Sequence, residues 1–276
     1  NVIVTDTEVP SITCPSAVIS YSTSPVLGSP VVSDNCGGYS VVNNAPPVYP
    51  YGNTSVVWTI TDASGNFSTC IQDVTVLPLH DTLNLKLYIQ GYFNSGLTMN
   101  AALYNSGISA NPTDCDTIQV CLMDSATLLP VECMQVVLNA NGETSCVFPP
   151  AVFGNNYYIR VKHRNAVETW SANPVSMSAS VYYDFSTNSS QAYGNNMVEV
   201  SSGIWAFWSG DIGDGTNYGL QDGSINDSDF TLLESALNSI SSGYDVGDLT
   251  GDGLVESADY SLIENNIGFL ILSAHP

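Results

Sequence analysis

The chain has 276 residues, of which 44% are hydrophobic, which is enough to fill two or three cores and excludes a disordered polymer. Its 26 acidic residues against 4 basic ones give a net charge of −22, which excludes nucleic acid as a default partner, because phosphate is held by Lys and Arg. No apolar run approaches the roughly 18 residues of a membrane span, and seven cysteines without a CxxC pair point to disulfides in an oxidising compartment.

Residues 8–77 alternate short β-branched runs with Pro, Gly, Asn and Ser turns, the pattern of a small β-sandwich. Val56, Trp58 and Ile60 share one face of a strand, and Asp62 to Asn66 form a tight turn before a returning strand. The order Val9-Pro10-Ser11-Ile12-Thr13-Cys14-Pro15, Asp34-Asn35-Cys36-Gly37, Val57-Trp58-Thr59-Ile60-Thr61-Asp62-Ala63-Ser64-Gly65-Asn66 and Thr69-Cys70 resembles a hyalin repeat. That family implies an immunoglobulin-like module of extracellular and adhesive proteins. It also implies that Cys14 and Cys70 staple the first strand to the last, a bridge worth roughly 2–4 kcal/mol. Residues 1–7 share the character of Asp73 to Leu77 and are expected to be the closing strand of a preceding repeat. Cys36 is left without its family partner; the expectation is a buried free thiol, the alternative a bridge to another chain.

Residues 81–208 carry strand-like runs at 83–90, 117–123, 132–138, 157–162, 181–185 and 197–205, with no helix-length amphipathic pattern. A second β-sandwich is expected. Cys121 and Cys133 flank a hairpin and could bridge it, leaving Cys115 to pair with Cys146; four cysteines allow three connectivities. The phrases Gln90-Gly91-Tyr92-Phe93 and Trp205-Ala206-Phe207-Trp208-Ser209-Gly210-Asp211 resemble a domain found near the C-terminal end of large secreted proteins of gliding bacteria. No activity follows from that likeness. Arg160, Lys162 and Arg164 alternate along one strand; they either pair with local carboxylates or form a docking stripe. Asp81-Thr82, Asp116-Thr117 and Asp124-Ser125 match a short O-glycosylation sequon of such proteins, making Thr82, Thr117 and Ser125 candidate acceptors.

Twelve of the acids fall between Asp211 and Glu264, in residues 209–276. The run from Asp248 to Asp259 has oxygen side chains at loop positions 1, 3, 5, 9 and 12, a glycine (Gly253) at position 6 and an aliphatic residue (Val255) at position 8. A hard divalent cation needs six to eight oxygens, and this spacing wraps one short loop around it. A helical stretch follows at residues 260–266. Upstream, Asp222-Gly223-Ser224-Ile225-Asn226-Asp227-Ser228-Asp229 is a partial copy, followed by an expected helix at residues 230–240.

Two such loop–helix units resemble a dockerin type I module. The resemblance implies two Ca²⁺ sites. In the second, Asp248, Thr250, Asp252 and Asp259 would be side-chain ligands, Leu254 would give its carbonyl, and Glu256 would act directly or through water. In the first, an insertion at residues 215–221 lets Asp211 serve as position 1. Gly213 or Asp214 stands near position 3, then come Asp222, the Ser224 carbonyl, Asn226 and Asp229. Family recognition of a cohesin uses positions 10 and 11, here Asp227-Ser228 and Ser257-Ala258, and the two pairs differ. Trp205, Phe207 and Trp208 lead in without a Ser/Pro linker, so the module is expected to be built onto the sandwich.

The expected fold is therefore mainly β: two consecutive immunoglobulin-like β-sandwich domains, then a small α-helical dockerin-like calcium module. No catalytic constellation is found around His80, His163 or His275: there is no G-x-S-x-G and no H-E-x-x-H. The expected function is a non-enzymatic, extracellular or cell-surface structural or adhesive protein. It would be the C-terminal part of a repeat array or filament, partnered by its own copies. The alternative is a binding module anchored to a cohesin-like receptor or a glycan.

Overall fold

The computed structural model describes residues 6–238 and 242–276. The expected closing strand over residues 1–7 therefore falls mostly outside the described residues, with Asp6 and Thr7 irregular. The chain divides into two compact units, the first ending at His80 and including Pro149–Phe153, the second comprising Asp81–Phe148 and Gly154–Pro276.

The first unit is built from β1 (Ser11–Thr13), β2 (Val18–Ser20), β3 (Val31–Ser33), β4 (Tyr39–Asn43), β5 (Gly52–Asp62) and β6 (Phe67–Val76). β1 pairs with β3, and the other four form a sheet in the order β2-β6-β5-β4. Alternation along β5 buries Val56, Trp58 and Ile60, of which Val56 and Trp58 meet Val74 and Val76 of β6 and the loop residue Tyr49. Trp58 Nε1 donates to Gln72 Oε1 (3.0 Å), and Gln72 Nε2 donates to the Ser16 and Leu27 carbonyls, both at 2.8 Å. That buried amide thereby satisfies the loops that cross the core. Cys14 is bonded to Cys70 of β6 across 56 residues of chain. The β5–β6 turn closes on Asp62, whose carboxylate accepts the Ser64 and Asn66 amides; Gly65 takes φ +92° there, a value that L side chains resist. Cys36 is an exposed free thiol rather than a buried one, because it lies in an open bend whose amide is held by Asp34.

The second unit contains β7 (Asp81–Lys86), β8 (Phe93–Asn94), β9 (Thr98–Met99), α1 (Ala102–Asn105), β10 (Asp114–Asp124) and β11 (Pro130–Asn139). These are followed by β12 (Glu143–Phe148), β13 (Asn156–His163), β14 (Ala166–Trp170), β15 (Val175–Ser176) and β16 (Ser180–Asp184). The unit ends with β17 (Val198–Ser201), β18 (Ile204–Ala206), β19 (Ser224–Ile225), α2 (Asp227–Asn238), α3 (Ser257–Ile267) and β20 (Ile271–Leu272). One sheet runs β11-β10-β13-β14 with β15 on β13; a second runs β12-β7-β16. Leu83 and Leu85 of β7 and Ile118, Val120 and Leu122 of β10 are fully buried, as are Ile159 and Val161 of β13. β10 also buries Cys121 and Met123 on its other face, as a central strand covered on both sides does.

Cys121 and Cys133 sit directly opposite on β10 and β11 and are bonded, with Cα atoms 4.1 Å apart. The expected Cys115–Cys146 bridge is not formed. Cys115 is the bulged residue between Asp114 and Asp116, so it faces no ladder partner, and Cys146 lies on β12 of the other sheet, opposite Leu83. Both are buried thiols. Burial pushes the Cys146 thiol up to about 12 and that of Cys115 well above its ordinary value.

In the same unit, α2 and α3 enclose a small core of Ile212, Leu233, Leu249, Val255 and Ile263, with the Phe230 and Tyr260 rings 4.6 Å apart. The α2 helix begins earlier than residue 230, and the last two positions of the expected span, 239 and 240, lie outside the described residues. Phe207 is buried in the sandwich against Phe185 (5.1 Å), so of the lead-in aromatics it is Trp208 that reaches toward the helical part, 6.0 Å from Phe269. The joint combines an apolar patch of Val167, Ile225 and Ile271 with polar bonds: Asn266 of α3 donates to the Ser209 carbonyl (2.7 Å) and to Gln90 Oε1 (2.8 Å).

Candidate calcium loops

The loop at residues 248–259 (loop 2) is organised around two buried carboxylates. Asp248 accepts the amides of Gly251 (2.7 Å), Asp252 (3.2 Å) and Gly253 (3.1 Å). Asp259 reaches back from the first turn of α3 to the amides of Thr250 and Glu256, both at 2.8 Å. Gly253 has φ +92°, which permits the sharp turn at position 6. Glu256 is the N-cap of α3: it and Asp259 form a reciprocal capping box. Asp252 is exposed, its carboxylate accepting the Leu254 amide at 2.9 Å.

The loop at residues 211–229 (loop 1) repeats this arrangement around a longer excursion. Asp229 accepts the amides of Ile212 (2.9 Å), Gly213 (3.1 Å) and Asn226 (3.0 Å), as Asp259 does in loop 2. Asp211 Oδ2 accepts the Gly223 amide at 3.2 Å, the counterpart of Asp248 accepting Gly253. Residues 213–218 double back, with Gly213 bridging Tyr218 and the Gly219 amide on the Ile212 carbonyl, so the excursion closes on itself. Asp211 and Asp222 are thereby brought to one place despite ten intervening residues. Asp222 Oδ1 accepts from the Ser224 amide and hydroxyl, and Asn226 Oδ1 accepts the Ser228 amide. Asp214 is drawn away: it accepts the amides of Thr216 and Asn217 in its own turn.

Asp211, Asp229, Asp248 and Asp259 are each at most 1% exposed. Four carboxylates removed from water demand a compensating positive charge. In loop 1 burial, then Asp229 and Asp222, push Asp211 up to about 8, and Asp211 Oδ1 is buried without a hydrogen-bond partner. Burial likewise raises Asp229 and Asp259. Burial pushes Asp248 up to about 6 against the opposing pull of Arg164. An all-oxygen, carboxylate-rich donor set with an orphaned buried oxygen fits Ca²⁺. Asp211, Asp222 and Asp229 would hold it in loop 1, and Asp248, Asp252 and Asp259 in loop 2.

The basic residues separate. Arg160 and Lys162 of β13 lie 3.9 and 2.9 Å from Glu168 on β14. Arg164 stands past the end of β13 and turns inward, so the alternating stripe ends before it. Its Nε lies 2.9 Å from Asp116 Oδ2 and its Nη2 3.7 Å from Asp248 Oδ2. Asp116 is fully buried and also meets the hydroxyls of Tyr92 and Tyr244 and, at 3.1 Å, His163 Nε2. Burial alone would raise its carboxyl, but His163, Arg164 and Tyr244 hold it well below the ordinary range. Sequence reading missed this centre, because its members are spread over 152 residues, from Tyr92 to Tyr244, and no single spacing pattern joins them.

Of the sequon residues, Ser125 is exposed in the β10–β11 turn, whereas Thr82 and Thr117 are half-buried on strands. In the first unit, Asp6, Asp34 and Asp62 offer oxygens within 4.8 Å of one another, although Asp62 is already committed to its own turn.

A chain of a type II cohesin–X–dockerin complex from Acetivibrio cellulolyticus, an N-terminal interface mutant, aligns at 17% identity with a TM-score of 0.42, covering 69% of this chain and 97% of that one. That likeness is too loose to define the fold. No curated protein matches. No helix of the described residues is long and apolar enough to cross a membrane. Residues 221–268 match the dockerin type I domain, a span that takes in loop 2 and both helices but starts after most of the loop 1 insertion. Dockerin type I domains generally bind Ca²⁺, and residues 221–268 of this chain are similar to them in sequence and carry a paired loop–helix build.

Proposed function

We propose that the chain is an extracellular, non-catalytic docking module whose dockerin element, loaded with two Ca²⁺ ions, binds a cohesin-type partner. The observation that carries this reading is the repeated loop–helix unit, with buried carboxylates at the first and last ligand positions of each loop. Calcium would neutralise those carboxylates and fix the starts of α2 and α3. There Asp227, Ser257 and Ala258 are exposed and open to a partner. Because Asp227-Ser228 and Ser257-Ala258 differ chemically, the two helices offer unlike surfaces and one binding orientation. The test is calorimetry of the whole chain against a panel of cohesin domains, with and without chelator. One-to-one binding that chelation abolishes supports the proposal; no binding by the calcium-loaded chain to any cohesin refutes it.

A second reading is a structural or adhesive one. Here the first unit is a hyalin-repeat module, and the chain is the stiff end of an extracellular array or filament. Two disulfides and the linkerless joint through Gln90, Ser209 and Asn266 favour it. Electron microscopy of native material, searched for a periodic repeat of this chain, tests it. Ser125 is the sequon residue best placed for glycosylation, and intact mass decides that point.

A further inference from the structure

We propose that the second sandwich holds calcium loop 2 in its ion-ready shape before the ion arrives, whereas loop 1 takes its shape only with its ion, so that the two sites load unequally. The inference rests on the calcium reading above and adds the residues that make the sites differ.

Loop 2 is gripped from outside the dockerin element. Asn100 Nδ2 donates to the Thr250 carbonyl (2.8 Å) and Asn105 Nδ2 to that of Gly251 (2.9 Å). Asn165 Nδ2 donates to the carbonyls of Asp248 (2.8 Å) and Val246 (3.2 Å), and Arg164 adds a longer bond to the former (3.4 Å). Side chains from two segments, residues 100–105 and 164–165, thus fix the carbonyls of Asp248, Thr250 and Gly251 in the loop and that of Val246 just before it, by bonds that involve no metal. The fit is close enough to require glycine at Gly91, where a Cβ would lie 2.1 Å from the Leu249 carbonyl oxygen. The Arg164 guanidinium near Asp248 also supplies positive charge where the ion would otherwise be needed.

Loop 1 has no equivalent. Among the described residues, the sandwich places no side-chain donor on a carbonyl of residues 211–229, and no Lys or Arg forms an ion pair with Asp211, Asp222 or Asp229. The contact in this region runs the other way, from the Gln221 amide to the Ala166 carbonyl (3.0 Å). There the charges of Asp229 and Asp222 bear on the buried Asp211, whose Oδ1 has no hydrogen-bond partner. A binding loop already shaped gives up less conformational freedom on binding, so loop 2 is the tighter site. Asn100, Asn105 and Asn165 act as positioning residues, since they reach the ion only through the loop.

The test uses the whole chain and Ca²⁺ alone. In chelator, hydrogen exchange of the Gly251, Asp252 and Gly253 amides should be slow, and that of Ile212, Gly213 and Gly223 fast. Calorimetric titration should then resolve two affinities, assigned with Asp222→Asn for loop 1 and Asp252→Asn for loop 2, both at exposed positions. The pair Asn100→Ala and Asn105→Ala should weaken the tighter site about tenfold and leave the weaker one unchanged. Because that readout is specific to one loop, general destabilisation, which weakens both sites together, would not reproduce it. Equal exchange at both loops in chelator overturns the proposal, as does equal weakening of both sites by the paired variant. Failure of the unaltered chain to take up calcium at all overturns the calcium reading itself, while the exchange comparison still stands on its own.

Discussion

Loops 1 and 2 are written in nearly the same chemical alphabet and differ in what surrounds them. In both, an aspartate at the first position and one in the first turn of the following helix are buried and bonded to loop amides. Both send an aliphatic residue, Ile212 or Leu249, into the same small core. Loop 2 rests on asparagines and an arginine from the sandwich; loop 1 is stretched by an insertion that doubles back and reaches outward through Gln221 to the Ala166 carbonyl and Tyr218 to Asp245. The comparison teaches that ligand identity and loop preorganisation are separate properties. A spacing rule reports the first and is blind to the second.

The largest effect that sharpens this contrast should come from removing the metal. Emptying each site is expected to lower the melting transition of the second unit by about 5–10 °C, as loss of a ligand present at some hundredfold its dissociation constant would. The disulfide-bonded first unit should keep its transition, and differential scanning calorimetry in chelator separates the two. If both units shift together, loops 1 and 2 are not the metal sites.

Next in size is the seat of loop 2. Gly91→Ala places a methyl group against the Leu249 carbonyl and Leu262, and an overpacked contact of this kind costs about 1–3 kcal/mol. Calcium binding at loop 2 should weaken while loop 1 keeps its affinity; the reverse would break the comparison.

The Asp116 centre yields a pH signature of similar size. Its carboxyl is held below the ordinary value in the folded state, so the stability it contributes is present at neutral pH and lost as pH falls below about 4. Asp116→Asn should cost about 3 kcal/mol, since it leaves Arg164 buried without its carboxylate, and should flatten the acid limb of a melting-temperature profile.

The smallest expected effect separates the loops most cleanly. In chelator, Asp211 is pushed up to about 8 by burial and by its acidic neighbours. The folded state then holds a proton that the unfolded chain releases, so metal-free stability falls as pH climbs from about 4 towards that value. Asp211→Asn should remove this slope and raise the metal-free melting temperature by about 2–4 °C, the effect of roughly 1 kcal/mol. Asp248→Asn should give no such gain, because Arg164 then loses a carboxylate. Metal-free melting of both variants at neutral pH checks this.

Much of the local structure was legible in the residues. The Val56, Trp58 and Ile60 alternation reads directly as the buried face of β5, and Asp62 to Asn66 as its closing turn. The spacing from Asp248 to Asp259 reads as a loop around an ion followed by a helix, because every participant lies within one turn or two of its partner. Counting residues also located the insertion that separates Asp211 from Asp222. Three things could not be read. The fate of Cys115 depended on a bulge in β10, which shifts a side chain without leaving a mark in composition. Arg164 resembled a strand residue because its neighbours alternate, yet β13 ends one position earlier. Without its family partner Cys36 is expected to be a buried thiol, but an open bend leaves it exposed.

The chain alone indicated many of the strands, though not β12 or β14, and which loops carry oxygen ligands, since these follow from interactions between residues close in sequence. Tertiary structure decided which loop is braced. Asn100 and Asn105 meet loop 2 from 150 and 146 residues away, and such long-range contacts arise from how whole sheets and helices pack, a property that no local pattern encodes.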